Sequence, residues 1–297
     1  MATRFRFHLL EESNWVRLWR LLKMAAAGSY RHNCLSVAKG AAYSALLSFF
    51  PVLTTMATLL VQIRADSVSH TIARFLYDVV PPGTEDVVRD LFVVQGERPT
   101  WLLVVAVVLA GWAASGAMIS LMEGFNVIYQ IPADPPFLRQ RGIALMLVLI
   151  AAVPLWIASA LIVFGTRVER AWISWLRLLP EGADLSGWVS LAGQVLRYGL
   201  AFGTVALVTA LVYYFGTNRK QTLRMVFPGA ALVTLLWLLA TVAFAWYVRH
   251  VANYNVLYKG VGAGLALLVW MYVLAVINLF GCEFNAARER ERAAADA

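Results

Sequence analysis

Five polar side chains stand in apolar surroundings and are the candidates for chemistry: Glu123, Asn126, Asn278, Glu283 and Asn285. Two belong to the stretch "LMEGFNVIY" and three to "NLFGCEFNAARER". A carboxylate in such a setting can hold a proton or a cation, and an amide can bond a polar solute or a neighbouring helix. Either group costs several kcal/mol in hydrocarbon unless it is paired or wetted. Both glutamates and all three asparagines are therefore candidates for a polar cavity or ion site. The 4 histidines and 2 cysteines, Cys34 and Cys282, show no metal-ligand spacing, so no metal and no cofactor is expected.

The elements that must position these groups follow from composition. The chain has 297 residues, 61% hydrophobic and 14% charged, with mean hydropathy +0.69. Soluble domains carry about 25% charged residues, so the composition indicates an all-α integral membrane protein. A spanning helix needs about 20 apolar residues. Six stretches reach this length: Ala41–Ile63, Trp101–Tyr129, Ile143–Phe164, Val189–Phe215, Met225–Val248 and Val261–Phe284. Fifteen of the 25 lysines and arginines fall on the side that holds both termini. The positive-inside rule then puts both termini in the cytoplasm. The start of the chain, "MATRFRFHLLEESNWVRLWRLLK", lacks the apolar core of a secretory leader. The basic excess is what topology requires, so no nucleic-acid partner is expected.

This divides the chain into residues 1–37, a cytoplasmic N-terminal segment; 38–286, the six-span domain; and 287–297, a charged cytoplasmic tail. In "NWVRLWRLLKM", Trp15, Leu18, Trp19 and Leu22 share one face and Arg17, Arg20 and Lys23 the other. That is the pattern of an interfacial helix, with packing against the bundle as the alternative. The external loop 64–100 has helical apolar spacing on either side of "PPGT". It is expected to form a helical hairpin over the outer mouth, as a lid or as a cover for apolar surface.

Within the spans, Pro51 and Pro154 are expected to kink their helices. Gly116, Ser120 and Glu123 share a face at i, i+4 and i+7. Small residues let helices approach closely, so Glu123 is expected to point into the bundle. Gly264 and Asn278 lie along one stripe of the last span with Met271 and Asn285. Glu283 is rotated from Asn278 by about 140°. Its plainest partner is Arg288 or Arg290, although a glutamate at a helix C-terminus works against the helix dipole.

The combination of "GAAYSALLSFFPVL", "LMEGFNVIY", "FPGAALVTLLWLL" and "YNVLYKGVGAGLALLVWMYVLAVINLFGCEFNAA" resembles the YihY / virulence-factor BrkB family of six-span inner-membrane proteins. The resemblance covers residues 36–286. The matching residues are Tyr43, Ser48, Pro51, Glu123, Asn126, Pro228, Gly229, Tyr258, Trp270, Gly281, Glu283 and Asn285. Two positions depart from the pattern. Thr217 precedes Asn218 where the family often has proline, and Lys259 follows Tyr258 at the outer mouth where it often has glycine. The resemblance implies a multi-pass protein of the bacterial inner (plasma) membrane, for which transport of a small solute or lipid is often proposed. The alternative is a non-transporting envelope or scaffold protein. The family has also carried a ribonuclease label. No soluble segment here offers clustered metal-binding carboxylates or a histidine-based acid/base pair, so an enzyme is not expected. The expected partners are membrane lipids and a small solute, ion or lipid; an oligomer is left open.

Overall fold

In a computed structural model, residues 14–62, 100–132, 135–152, 187–250 and 261–296 are described. They form the helices α1 (Asn14–Arg31), α2 (Cys34–Gln62), α3 (Thr100–Ile128), α4 (residues 137–152), α5 (Gly187–Gly216), α6 (Leu223–His250) and α7 (Val261–Asp296). No strand occurs among the described residues. Five helices, α2, α3, α5, α6 and α7, are long and apolar enough to cross a membrane. Their bounds track five of the six expected stretches. The sixth, Ile143–Phe164, is described only through its first ten residues, which belong to α4. Pro154, the loop 64–99, and Tyr258 with Lys259 lie outside the described residues.

The outer faces of these helices are apolar, as lipid contact requires. Val104, Val107, Val108 and Leu109 of α3 are exposed, as are Leu235, Leu238, Leu239 and Val242 of α6. The interior gathers Met122, Phe125, Ile128, Leu147, Tyr213, Val226, Val233, Leu279 and Cys282. At its centre is α7, which packs on α1, α2, α3 and α6. Pro51 sits within α2, and the helix continues through it to Gln62.

Two helix exits use residues other than glycine in the left-handed region. Asn33 (φ 57°) ends α1, with the His32 N–H bonded to Gly28 O at 2.8 Å and the Ser36 N–H to Asn33 O at 2.9 Å. Asparagine tolerates this conformation through its short polar side chain. The corner turns the chain directly into α2 and holds His32 between the two helices. Gln130 (φ 54°) ends α3, where the Ile131 N–H closes onto Asn126 O at 2.9 Å. This six-to-one closure satisfies a carbonyl that the helix end would leave open.

The first helix packs against the bundle, the alternative expected for it. Leu21, Ala25 and Gly28 are buried, and Leu21 and Ala25 pack with Phe284 and Ala287 of α7. Trp15 and Trp19 remain exposed, at 79% and 61%. Arg17 and Arg20 both reach Glu291, at 2.8 and 2.7 Å. The last turns of α7 run on as helix to Asp296, so the charged tail 287–297 is continuous with the span and becomes the surface on which α1 rests. These contacts bring α1 and the C-terminal end of α7 to one end of the bundle.

Helices α6 and α7 meet where each has a glycine. A Cβ on Gly281 would overlap Val233 Cγ2 and crowd the backbone oxygen of Gly229, and one on Gly229 would overlap the backbone oxygen of Gly281. Gly264 differs from its expected packing role: among the described residues, nothing stands within 4 Å of the Cβ position. Gly281→Ala must separate two backbones, and overpacking of this kind costs about 1–3 kcal/mol. Gly264→Ala fills open space and gains up to about 1 kcal/mol of helix propensity. Thermal unfolding of the purified protein in micelles is expected to show a lowered midpoint for Gly281→Ala and an unchanged or raised one for Gly264→Ala.

Candidate functional site

The polar residues of α7 are spent on neighbouring helices. Asn285 is buried and works as a two-sided clamp on the start of α6. Its Oδ1 accepts the Gly229 N–H at 2.8 Å, and its Nδ2 donates to Val226 O at 2.9 Å. Pro228 lies between these two positions and has no N–H of its own to give. Glycine at 229 and 281 lets the amide come close enough to bond backbone. Two turns earlier along α7, the Tyr213 hydroxyl of α5 donates to Asn278 O at 2.6 Å. Its ring packs edge-on against Phe125 of α3, with centroids 5.2 Å apart.

Glu283 is fully buried. Its partner is the His32 imidazole, whose Nδ1 meets Glu283 Oε1. The carboxylate lies against Gly28, where a Cβ would come within 2.5 Å of Oε2. Of the two expected charge partners, Arg288 and Arg290, Arg290 places its Nη1 3.8 Å from Oε2, a looser approach than that of His32. Arg290 Nη2 donates instead to Ile128 O, the open end of α3, at 3.0 Å. Glu283 thus joins three elements: the α1–α2 corner, α7 and, through Arg290, the end of α3.

Glu123 is exposed, contrary to the expectation that it points inward. The buried residues of α3 include Ser115, Met122, Phe125, Asn126 and Ile128, a face turned away from that of Gly116, Ser120 and Glu123. The bulky Met122, Phe125 and Ile128 fill the core and set the rotation. Gly116 faces Ser44 loosely, its Cβ position 3.9 Å away, and Ser120 bonds back to Gly116 O at 3.3 Å. The close approach falls at Gly124, where a Cβ would lie 2.5 Å from Leu279 Cδ2 and 2.9 Å from Val37 Cγ1.

Two cavities flank the polar lattice. The inner one, about 210 Å³, is mostly apolar, with Met118, Leu121, Val212, Trp237 and Met271 in its wall. Asn278 also lines it, and its Oδ1 has no hydrogen-bond partner among the described residues. The second, about 590 Å³, is polar and lies at the end of the bundle that holds α1. Met122 and Asn126 of α3, Arg139 and Met146 of α4, and the turn Gly216–Gln221 line it. The two cavities take successive turns of α3, Met118 and Leu121 against Met122 and Asn126. Phe125 and Tyr213 are buried at the register where one gives way to the other.

The turn is held firmly. Asn126 Oδ1 accepts the Asn218 N–H at 3.2 Å. Thr217 Oγ1 donates to Tyr213 O at 2.8 Å, and Gln221 Nε2 donates to the same oxygen at 2.7 Å and to Thr217 Oγ1. The Arg219 guanidinium lies 3.8 Å from the centroid of the Tyr129 ring and pairs with Glu289 of α7. Thr217, the residue that departs from the family pattern, is therefore a structural member of this turn. His32, Gly28, Tyr213, Gln221 and Arg139 were not singled out by sequence reasoning. The small-residue run "AAAGSYRH", with Gly28 and His32 one turn apart, was the available signal for the first two.

Among the described residues, no three His, Cys, Asp or Glu side chains converge on a metal-sized site. The fold is that of an all-α membrane protein with several apolar spans. The chain belongs to the virulence factor BrkB family, whose model matches residues 25–297. Among its relatives is the putative ribonuclease-like protein YfkH of Bacillus subtilis, 27% identical over 88% of this chain and 92% of its own length. A UPF0761 membrane protein of Tolumonas auensis is 24% identical over 92% of this chain and 82% of its own. Another from Chromobacterium violaceum is 24% identical, and the match covers 86% of this chain and 60% of that protein. No solved structure shows significant similarity to the chain.

Removal of the Asn285 amide leaves a buried N–H and a buried carbonyl to find partners elsewhere. Each unsatisfied group costs about 1–3 kcal/mol. Asn285→Ala is expected to destabilise the protein by about 2 kcal/mol or more, measured by unfolding in micelles. The exposed Arg292→Ala is expected to change it by less than about 0.5 kcal/mol.

Proposed function

We propose that this protein is a transporter of the bacterial inner membrane that moves a small solute or a lipid through the helix bundle. The observation that carries this reading is the polar cavity of about 590 Å³ between α3, α4 and the α5–α6 turn. A cavity of this size suits a small ligand. The inner cavity takes the preceding turn of α3, and the buried Phe125–Tyr213 pair is assigned here as the barrier between the two spaces. Movement of that pair, or of the helices that carry it, would join the two spaces. Both termini in the cytoplasm, as the charge distribution favours, would make the polar cavity the cytoplasmic vestibule.

The two glutamates take different parts in this account. Glu283 serves the packing of α1, α2 and α7. Glu123, exposed one residue from the cavity-lining Met122, is the group assigned to proton or cation coupling. A scaffold role is favoured by a separate observation: Asn285, Tyr213 and Glu283 all bond neighbouring helices rather than an open path.

The two readings separate in proteoliposomes. One assay follows proton movement with an internal dye under imposed proton and Na⁺ gradients. A second follows the accessibility of a fluorescent phospholipid to an external quencher. Transport predicts wild-type movement in at least one assay, abolished by Met146→Trp, which fills the cavity wall while folding is kept. Glu123→Gln is expected to remove any pH dependence. Rates equal to empty liposomes in both assays would support the scaffold instead.

A further inference from the structure

We infer that the polar cavity binds an anion bearing a phosphoryl group, with Arg139 and Lys220 as its charge partners. The inference deepens the transport reading and rests on it for the site's purpose, since it gives the cargo a chemical class. Among the described residues, three cations line the cavity, Arg139, Arg219 and Lys220, and no carboxylate does. Arg219 is already committed: it stacks on Tyr129, bonds Gln221 at 3.3 Å and pairs with Glu289. Arg139 and Lys220 have no carboxylate partner among the described residues. They come from different elements, the first turn of α4 and the α5–α6 turn, and they converge on one space.

The surrounding polar groups do not compete for the anion but hold the turn that carries Lys220 in place. Thr217 and Gln221 are both bonded to Tyr213 O, and Asn126 holds the Asn218 N–H. The turn that carries Lys220 is thereby fixed before any ligand arrives, which lowers the ordering cost of binding. Charge decides between anion classes. A carboxylate would neutralise only one of the two cations. A phosphate monoester carries about −1.5 to −2 at neutral pH and matches both. Arginine supplies a planar fork for phosphate oxygens and lysine a point charge. The cavity volume leaves room for whatever the phosphate is attached to.

The test uses the purified full chain in neutral detergent micelles. Glycerol 3-phosphate and a short-chain phosphatidic acid are titrated as probes, with short-chain phosphatidylcholine as the neutral-headgroup control. Saturable binding of at least one phosphate probe is expected. The affinity should fall about tenfold or more in the Arg139→Gln/Lys220→Gln variant, the loss expected for charge-assisted hydrogen bonds. A second double variant, Lys23→Gln/Arg31→Gln, removes the same charge from α1 and should change affinity by less than about twofold. Binding of both probes identifies a free organic phosphate as the ligand; binding of phosphatidic acid alone identifies a lipid headgroup. Thermal unfolding checks each variant, and Lys220→Gln alone carries the test if the double variant does not fold.

Absence of saturable binding by either probe would overturn the site. So would an equal loss in the α1 variant, which would show only general charge attraction. Binding without flux would remove the transport reading and leave the site. Flux without binding would remove the site and leave transport.

Discussion

A carboxylate with no exposed surface, Glu283, is the constraint on which the described bundle depends. Its removal from water costs several kcal/mol unless a partner meets it. The partner is His32, delivered by a corner that Asn33 makes in the left-handed region. Gly28 has no side chain, so the carboxylate can lie against the backbone of α1. One buried charge thus fixes the position of the first helix, its turn into α2, and the register of α7 against both. Arg290 extends the arrangement to the end of α3 through Ile128 O.

The same physics governs the rest of α7. A polar group in hydrocarbon has to be satisfied by protein, and Asn285 is satisfied on both sides by α6. Asn278 is satisfied only through its backbone oxygen, and its side-chain oxygen belongs to the wall of the inner cavity. The lattice therefore concentrates rigidity at one end of the bundle, where α1, the α5–α6 turn and the end of α7 meet. The polar cavity opens beside this rigid end. Lys220, held on a fixed turn beside the cavity, is a preorganised part of the site, which is what links the packing to the proposed function.

Much of this was legible in the sequence. Five spans were readable because long apolar runs have few alternative structures. Asn285 and Glu283 stood out because polar residues are costly in such runs, whereas Gly281 came only from the family resemblance. The orientation of Glu123 was misread because a stripe of small residues marks only where helices could approach. The bulk of Met122, Phe125 and Ile128 decided which face was buried. His32 and Gly28 were missed as partners of Glu283 because they lie 251 residues and more away in the chain. A pairing over that separation leaves no local pattern. Arg139 and Lys220 were read only as topology signals; their convergence on one cavity depends on how α4 and the turn pack.

The most direct test is a double-mutant cycle on His32→Ala and Glu283→Gln, with unfolding free energy in micelles as the readout. If Glu283 and His32 form the contact that fixes α1, α2 and α7, the two effects are coupled by about 1–3 kcal/mol. Additivity within about 0.5 kcal/mol would mean that the pair does not hold these helices together, and the account of the bundle would fail at its first step.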